Sequence, residues 1–498
     1  MILGGSPDRA TPLLSHPMIS LIPYLKKPLA VVVLLSLYGC KLMTPLPQPS
    51  TMQAPRTFLE RVDSVSVGGM PVRQFFSDPN LVALIDTALQ RNLDLAIALQ
   101  RIEMARADIL EREGYLLPSV QAEAIGGVRR YGEYTQEGVG NYDTNFSDNI
   151  NPDQRMSNPL PEYFLGARST WEIDLWGKLR TRRKAAYTRF LATQKGRQLV
   201  ITNLVADIAR RYYELLTLDN QLEILQRNAE LQKKAVETIV IQKQGGRANE
   251  LAVRQFRAQL LNTQSLELQI KQQIMEVETQ INTLLGRYTQ PITRGYPILQ
   301  QSIPEKVNVG VPAQMLRRRP DVQQAELELL AAGADLQAAR LAFLPSLNLN
   351  AYLGLNAFRS TVLFSPASVA YGLLAGLAAP VINRKGLKAG RNRAQAQSME
   401  ALYAYNKAVL TAFQEAALNM RTLENLRNIS ELKSQETQEL QQGVSISNDL
   451  FMAGYATYLE VITAQRTVLA AELEQTTIQQ RKFTALVDLY RSLGGGWE

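Results

Sequence analysis

The chain holds one cysteine, Cys40, and one histidine, His16, and these two positions bound the chemistry it can do. Cys40 closes the stretch "MISLIPYLKKPLAVVVLLSLYGC", in which Lys26 and Lys27 precede an apolar run from Pro28 to Tyr38. A basic start followed by an apolar run too short to span a bilayer has the pattern of a secretory signal. The signal covers residues 1–39, with Met18 as the start that supplies all a signal needs. The Leu-x-Gly-Cys ending resembles a bacterial lipobox, in which the cysteine becomes the lipidated first residue of the mature chain. Lysine rather than aspartate follows at position 41, which fits delivery to the outer membrane. Acyl chains anchor by burying methylenes at about 0.8 kcal/mol each.

His16 lies upstream of Cys40, so the mature chain has no histidine and its one cysteine carries lipid. That removes Ser-His and Cys-His nucleophile pairs, His/Cys metal sites and most general-base chemistry at neutral pH. No phosphate-cradling loop or dinucleotide fingerprint occurs, and nothing nominates a working pair of carboxylates. No metal, no cofactor beyond the covalent lipid and no enzymatic activity are expected. Cleavage before Cys40 leaves a net charge of +6. Positive charge raises the question of nucleic acid; here it is spread along helical runs of an exported chain, so a solvated surface is the reading.

The elements around these residues come in two halves. "ARADILEREGYLLPSVQAEAIGG" (105–127) and "AGADLQAARLAFLPSLNLNAYLG" (332–354) each run from a helical pattern through a proline into an alternating strand, at a constant 227-residue offset. Proline cannot continue a helix and suits the first residue of a strand. In "SLNLNAYLGLNA" the residues Leu347, Leu349, Ala351, Leu353 and Leu355 share one face. Asn348, Asn350, Tyr352 and Asn356 share the other. Each half then shows a second strand, "YFLGARSTWEIDLW" with Arg168, Glu172 and Asp174 on its polar side, and "VAYGLLAGLA". Strands are expected over about 119–131, 163–175, 346–358 and 368–380. Such strands have the length and one-sided oiliness of transmembrane β-strands, and a soluble antiparallel sheet has the same alternation. A polar stretch rich in Gly, Asn and Asp (131–162) joins the first pair and favours an exposed barrel loop.

After each strand pair comes a long helical hairpin, about 178–287 and 386–493, and no proline follows Pro380. Leu204, Ile208, Leu215, Leu218, Leu222 and Leu225 recur as a coiled-coil seam. Each hairpin turns at glycine: Gly245 and Gly246 in "KQGGRANEL", and Gly454 in "FMAGYATYLEV". Four strands cannot close a barrel alone, since about eight is the minimum for a filled one. Several chains must pool their strands.

On "FFSDPNLVALIDTALQRNLDLAIALQR", "WEIDLWGK", "LRRRPDVQQAELELLAAGADLQAARLAFLPSLNL", "APVINRKG", "AGYATYLEVITAQRTVLAAE" and "LYRSLGGGW", taken in order, residues 40–498 resemble the outer-membrane efflux protein family, the TolC-type channel-tunnels. The likeness is to its lipoprotein branch, coupled to resistance–nodulation–division pumps. It implies a homotrimer whose chains give four strands each to a twelve-stranded barrel, continued by a helical tunnel. It implies an exit duct in the outer membrane, a periplasmic adaptor (membrane-fusion) protein docking on the helical tips, and an inner-membrane pump. The leucines of 347–355 would face lipid, and Asn348 and Asn350 would line the lumen with Arg168, Glu172 and Asp174. Drugs or other small toxic compounds would pass unchanged. Residues 40–80 would form a lipidated extended segment, 81–300 the first repeat and 301–498 the second.

The resemblance also nominates a periplasmic gate. Glu460 matches an acidic position of the family's constricting ring, Thr463 stands where a second acidic residue sits, and Ala252 holds the paired place in the other hairpin. Closure is therefore expected to rest less on charge and more on apolar packing, with Leu459 as a plug. Arg317–Arg319 and the closing Gly-Gly-Gly-Trp take structural roles. Two other functions stay open: the exit duct of an ABC-type protein secretion system, and a non-pore structural lipoprotein of the periplasm.

Overall fold

The computed structural model describes Pro55, Thr57, Phe58 and residues 66–301, 308–382 and 384–497. Cys40 and the signal lie outside the described residues, as do His16 and Met18. Among the described residues, ten α-helices and four strands follow one another in two similar runs. The first run is α1 (Val72–Phe75), α2 (Pro79–Arg91), α3 (Leu93–Gly114), β1 (Ser119–Arg129), α4 (Gln136–Thr144), β2 (Leu160–Ile173), α5 (Lys178–Gln244) and α6 (Glu250–Leu284). The second is α7 (Pro312–Arg318), α8 (Pro320–Leu341), β3 (Ser346–Ala357), β4 (Val369–Ala378), α9 (Lys385–Met452) and α10 (Tyr458–Ser492).

The strands form one antiparallel sheet in the order β1-β2-β3-β4. Its register fixes the faces. Leu165, Ala167, Trp171 and Ile173 of β2 stand opposite Leu355, Leu353, Leu349 and Leu347 of β3. Those leucines in turn oppose Val369, Tyr371, Ala375 and Leu377 of β4. Val120, Ala122 and Ala124 of β1 continue the row. Because successive side chains alternate, this pairing makes one face apolar, with Ser169 its one polar side chain between Val120 and Ala351. That face is open: Val120, Leu353, Leu373 and Tyr371 are 67, 62, 73 and 78% exposed. An apolar sheet face of this extent needs lipid or another chain against it.

Below the sheet the helices form a layer in the same order. α3 leads into β1, β2 into α5, α8 into β3 and β4 into α9; α5 packs on α3 and α8, and α8 packs on α9. Farther along, α5 packs on α6 and α10, and α10 on α9. The two long helices, of 67 and 68 residues, thus run past both sets of partners. At 1.5 Å per residue each is about 100 Å long. The core is accordingly divided along their length, from a large cluster around Tyr212, Leu215 and Phe483 to a small one around Ile239, Phe256 and Ile462 near the turns. Among the described residues no helix is long and apolar enough to cross a membrane.

Local chemistry explains where the long helices begin and end. Asp174 accepts hydrogen bonds from the backbone N–H groups of Leu179 (3.0 Å) and Arg180 (2.9 Å), satisfying donors that the first turn of α5 leaves free. At the far end Gly246 (φ +75°) and Gly454 (φ +81°) adopt the left-handed conformation that only glycine enters without strain. The N–H of Arg247 then donates to the Gln242 carbonyl, and that of Tyr455 to Leu450, each at 2.9 Å. This is the 6→1 bond of a Schellman stop.

Candidate channel lining and helical tips

The polar face of the sheet collects the residues that alternation assigns to it. Asn350 pairs with Thr170, Asn348 with Glu172 and Tyr352 with Arg168 across β2 and β3. Arg168 does not stand alone. It ion-pairs with Glu123 of β1, and its guanidinium lies 5.0 Å from the Phe164 ring centre and 5.8 Å from that of Tyr352. Phe164 is buried (6% exposed) because its ring lies over the facing glycines Gly166 and Gly354. A β-carbon added at Gly166 would come within 2.5 Å of Gly354 Cα and 2.9 Å of the Phe164 ring. The Tyr352 ring covers Gly372 in the same way. The result is a cation held over two rings, themselves seated on glycine, on a face that also carries amides and carboxylates along with exposed Ile125 and Leu374.

Asp174 and Glu172 sit differently from Arg168. Asp174 is engaged by the start of α5 and by Arg180 Nε at 3.2 Å, and Glu172 pairs with Lys178. Asn348 Nδ2 donates to Ser346 Oγ at 3.2 Å. Asn350 is exposed on the face. Of the five lumen candidates, Arg168, Glu172, Asn348 and Asn350 share the face of the sheet, whereas Asp174 lies past the end of β2 and works as a helix cap.

At the tips, Glu460 closes on its own helix. Thr457 is the N-cap of α10, and the Glu460 carboxylate accepts from both the Thr457 N–H and, at 3.0 Å, the Thr457 hydroxyl. This capping box is legible in "TYLE", a Thr-x-x-Glu before an apolar run, a signal that a pore-centred reading of Glu460 passes over. Thr463 donates its hydroxyl to the Leu459 carbonyl at 2.8 Å, and Leu459 is 56% exposed. Ala252 is completely buried, packed with Val253, Phe256, Val461 and Ile462. The place that the resemblance assigns to a paired acidic residue is therefore part of the packing between the two tips. Gly245, Gly246 and Gly454 lie on the exposed turns beside these helices. Glu250 bridges Lys243 and, at 2.7 Å, Arg254; the hydrogen bond from Lys243, then that from Arg254, hold its carboxyl below the ordinary range.

Between sheet and tips, Arg319 is the buried centre of an ionic cluster. It reaches Asp321 (2.6 Å), Glu415 (2.9 Å) and the Ser492 carbonyl (3.1 Å). Burial raises the Asp321 carboxyl, but the hydrogen bonds and charge of Arg319 outweigh it, and the net shift is downward. Gly494 (φ +88°) ends the last helix against Arg318 and Arg319.

Two segments of the chain, 84–287 and 311–495, match the family model described as "Outer membrane efflux protein". The chain belongs to that family. It is similar to the pyoverdine export outer membrane protein OpmQ of Pseudomonas putida, 30% identical over 467 residues that cover 93% of this chain and 96% of the relative. It is 24% identical to the probable outer membrane lipoprotein SilC of Salmonella typhimurium, over 95% of this chain and 99% of SilC. Among solved structures, the open-state outer membrane channel MtrE of Neisseria gonorrhoeae superposes with a TM-score of 0.78 at 24% identity, over 91% of this chain and 99% of MtrE. The fold is that of the channel-tunnels: a few transmembrane strands continued by a long helical layer. As a member of this family the chain is an outer-membrane efflux channel, which sets the open apolar face of the sheet against lipid.

Proposed function

We propose that the chain is the exit duct of a tripartite efflux system, working as a homotrimer that conducts small toxic compounds across the outer membrane without changing them. The observation that carries this is the sheet: one face is apolar but for Ser169, the other gathers the polar groups of β1, β2 and β3 beside the small residues and Leu374 of β4, and β1 and β4 are left as edges. Lipid offers no hydrogen bonds to an open edge, so a membrane-embedded sheet must close. Three copies give twelve strands, enough to enclose a water-filled lumen. The amide, guanidinium and carboxylate groups of Asn348, Asn350, Arg168 and Glu172 then border that lumen, and the helical layer extends it into the periplasm.

The tips are proposed as the place where a periplasmic adaptor, itself joined to an inner-membrane resistance–nodulation–division pump, docks at the turns of Gly245, Gly246 and Gly454. Glu460, Leu459 and Thr463 lie on the exposed start of α10, where closure of the tunnel would bring three copies together. Lipid on Cys40 would anchor the mature N-terminus; the lipobox-like sequence and the naming of SilC as a lipoprotein support it. Export of a small molecule is supported by the naming of OpmQ for pyoverdine. The test is single-channel conductance of the purified mature protein in a planar bilayer. Discrete, trimer-dependent currents are expected. A folded protein that gave none, and stayed soluble without detergent after removal of its lipid, would overturn the proposal.

A further inference from the structure

Where each strand pair hands over to a long helix, the sequence loses its acids. No Asp or Glu occurs between Asp174 and Asp207, or between Asp335 and Glu400. The first turns of α5 carry Lys178, Arg180, Arg182, Arg183 and Lys184, and those of α9 carry Lys385, Lys388, Arg391 and Arg393. Some of these charges are matched from neighbouring elements: Arg180 by Asp174, Arg183 by Glu113 of α3 at 3.7 Å, and Lys178 by Glu172. Among the described residues no carboxylate pairs with Arg182, Lys184, Lys385, Lys388, Arg391 or Arg393, although Asp335, paired with Arg189, lies nearby.

Three further observations show what this belt lacks. The start of α5 has the Asp174 carboxylate on its free N–H groups, whereas α9 begins on Arg384 with no side-chain cap and no acidic residue in its first turn. A helix N-terminus ringed by cations favours an anion from elsewhere. Beside it a cavity of about 280 Å³ opens between α5, α8 and α9, lined by Arg182, Arg391, Gly386 and Gly390, and also by Asp335, whose charge Arg189 already engages. Nothing lies within 4 Å of where a β-carbon would stand on either glycine. The Nε of Arg391 is buried there without a hydrogen-bond partner.

The position of the belt names the anion. Just before the two helices the chain exposes Leu175 and Trp176 (50 and 49%), and Val381 and Ile382 (80 and 88%). Apolar and indole groups beside cations, next to strands that end against hydrocarbon, are the makeup of a membrane interface. From Lys385 to Arg393 is about 12 Å along the helix. The interfacial layer is roughly 5–7 Å deep on each side of the hydrocarbon, within reach of long basic side chains. We propose that this belt binds the phosphate groups of anionic phospholipids in the periplasmic leaflet, with the cavity between Arg182, Arg391 and the start of α9 as its main headgroup site. This rests on the outer-membrane channel reading.

The experiment compares quenching of Trp171 and Trp176 by brominated phosphatidylglycerol and by brominated phosphatidylcholine in vesicles holding the full mature protein. One basic side chain near an anionic surface shifts binding by on the order of fivefold, so a several-fold preference for phosphatidylglycerol is expected at low salt. It should fall toward unity when Arg182, Lys385, Lys388 and Arg391 are all changed to Gln. Should that variant fail to assemble, 0.5 M salt on the wild type gives the same reading, since screening at about 4 Å removes an electrostatic preference. Equal quenching by the two lipids in the wild type, or a preference untouched by both the substitutions and salt, overturns the proposal. So does an unchanged lipid preference accompanied by altered anion selectivity, which would place the cations in the lumen. Conductance in pure phosphatidylcholine, measured on the same preparation, separates failure of the headgroup site from failure of the channel itself.

Discussion

Removing the carboxylate of Glu460 should have two separable effects, one on the helix and one on the pore. In the capping box, Glu460 satisfies the Thr457 N–H at the positive end of α10. Loss of such a cap costs about 1–2 kcal/mol of local stability. By contrast, three carboxylates about 10 Å apart in water repel by only about 0.4 kcal/mol per pair. The cap therefore outweighs the repulsion in the fold of the tip, while the charge remains available to a cation through the second oxygen. Glutamine can complete a capping box as glutamate does. Glu460→Ala is expected to raise native-state hydrogen exchange at residues 457–463 by roughly 5–30-fold, and Glu460→Gln by less than about threefold. Both should lose block of single-channel conductance by divalent or trivalent cations added from the tip side. Hydrogen exchange in Glu460→Ala indistinguishable from wild type would refute the cap argument. Block that survives in both variants would remove Glu460 from the gate.

Gly354→Ala places a methyl 2.7 Å from Gly166 Cα and the Leu165 carbonyl; overpacking of that kind costs about 1–3 kcal/mol, to be seen as a lower unfolding temperature of the trimer. Arg168→Met should shift the reversal potential of the channel toward cations, because it removes a positive charge from the lumen face and leaves Glu123 unpaired; an unchanged reversal potential would place Arg168 away from the ion path. Asp321 has a depressed folded pKa, so its contribution is present above the unfolded value of about 3.9 and is lost as pH falls through the folded one. The stability gap between wild type and Asp321→Asn, measured by thermal unfolding, should thus be full at pH 7 and close below about pH 4. Cys40→Ala should abolish incorporation of labelled palmitate while conductance in a bilayer persists; label retained elsewhere in the chain would sink the lipidation reading.

The strands are legible because period-two alternation runs through most of β2 and β3 and, less cleanly, through β1 and β4, where Ile125 and Leu374 break it, and the helices of the second hairpin because no proline follows Pro380. What pattern alone does not contain is register. That Arg168 meets Glu123, that Phe164 covers Gly166 and Gly354, and that Tyr352 fills the space over Gly372 all depend on which residues face one another across strands. No single-strand alternation holds that information. β2 also begins at Leu160, ahead of the expected 163, since pairing with Arg129 extends the ladder through Pro161. The short helix α4 inside the polar 131–162 stretch has three glycine or asparagine residues among nine and no apolar periodicity, and only the cap from Thr135 marks it. Ala252 reads as a vacant acidic site when it is matched across hairpins by position alone; the tip packing that buries it also involves Val461 and Ile462 of α10, distant in sequence.

Strand β2 reaches α5 through only four intervening residues, and one of them, Asp174, is bonded into the first turn of that helix. Inserting one residue in β2 would exchange its two faces, and inserting one in the junction would turn a helix of about 100 Å by roughly 100° relative to its neighbours. On the opposite rim the links between strands are loops, long between β1 and β2 and short between β3 and β4. Length variation and foreign sequence should therefore be accepted at the outer mouth, where grafted peptides could be displayed, and refused at the collar beneath the membrane.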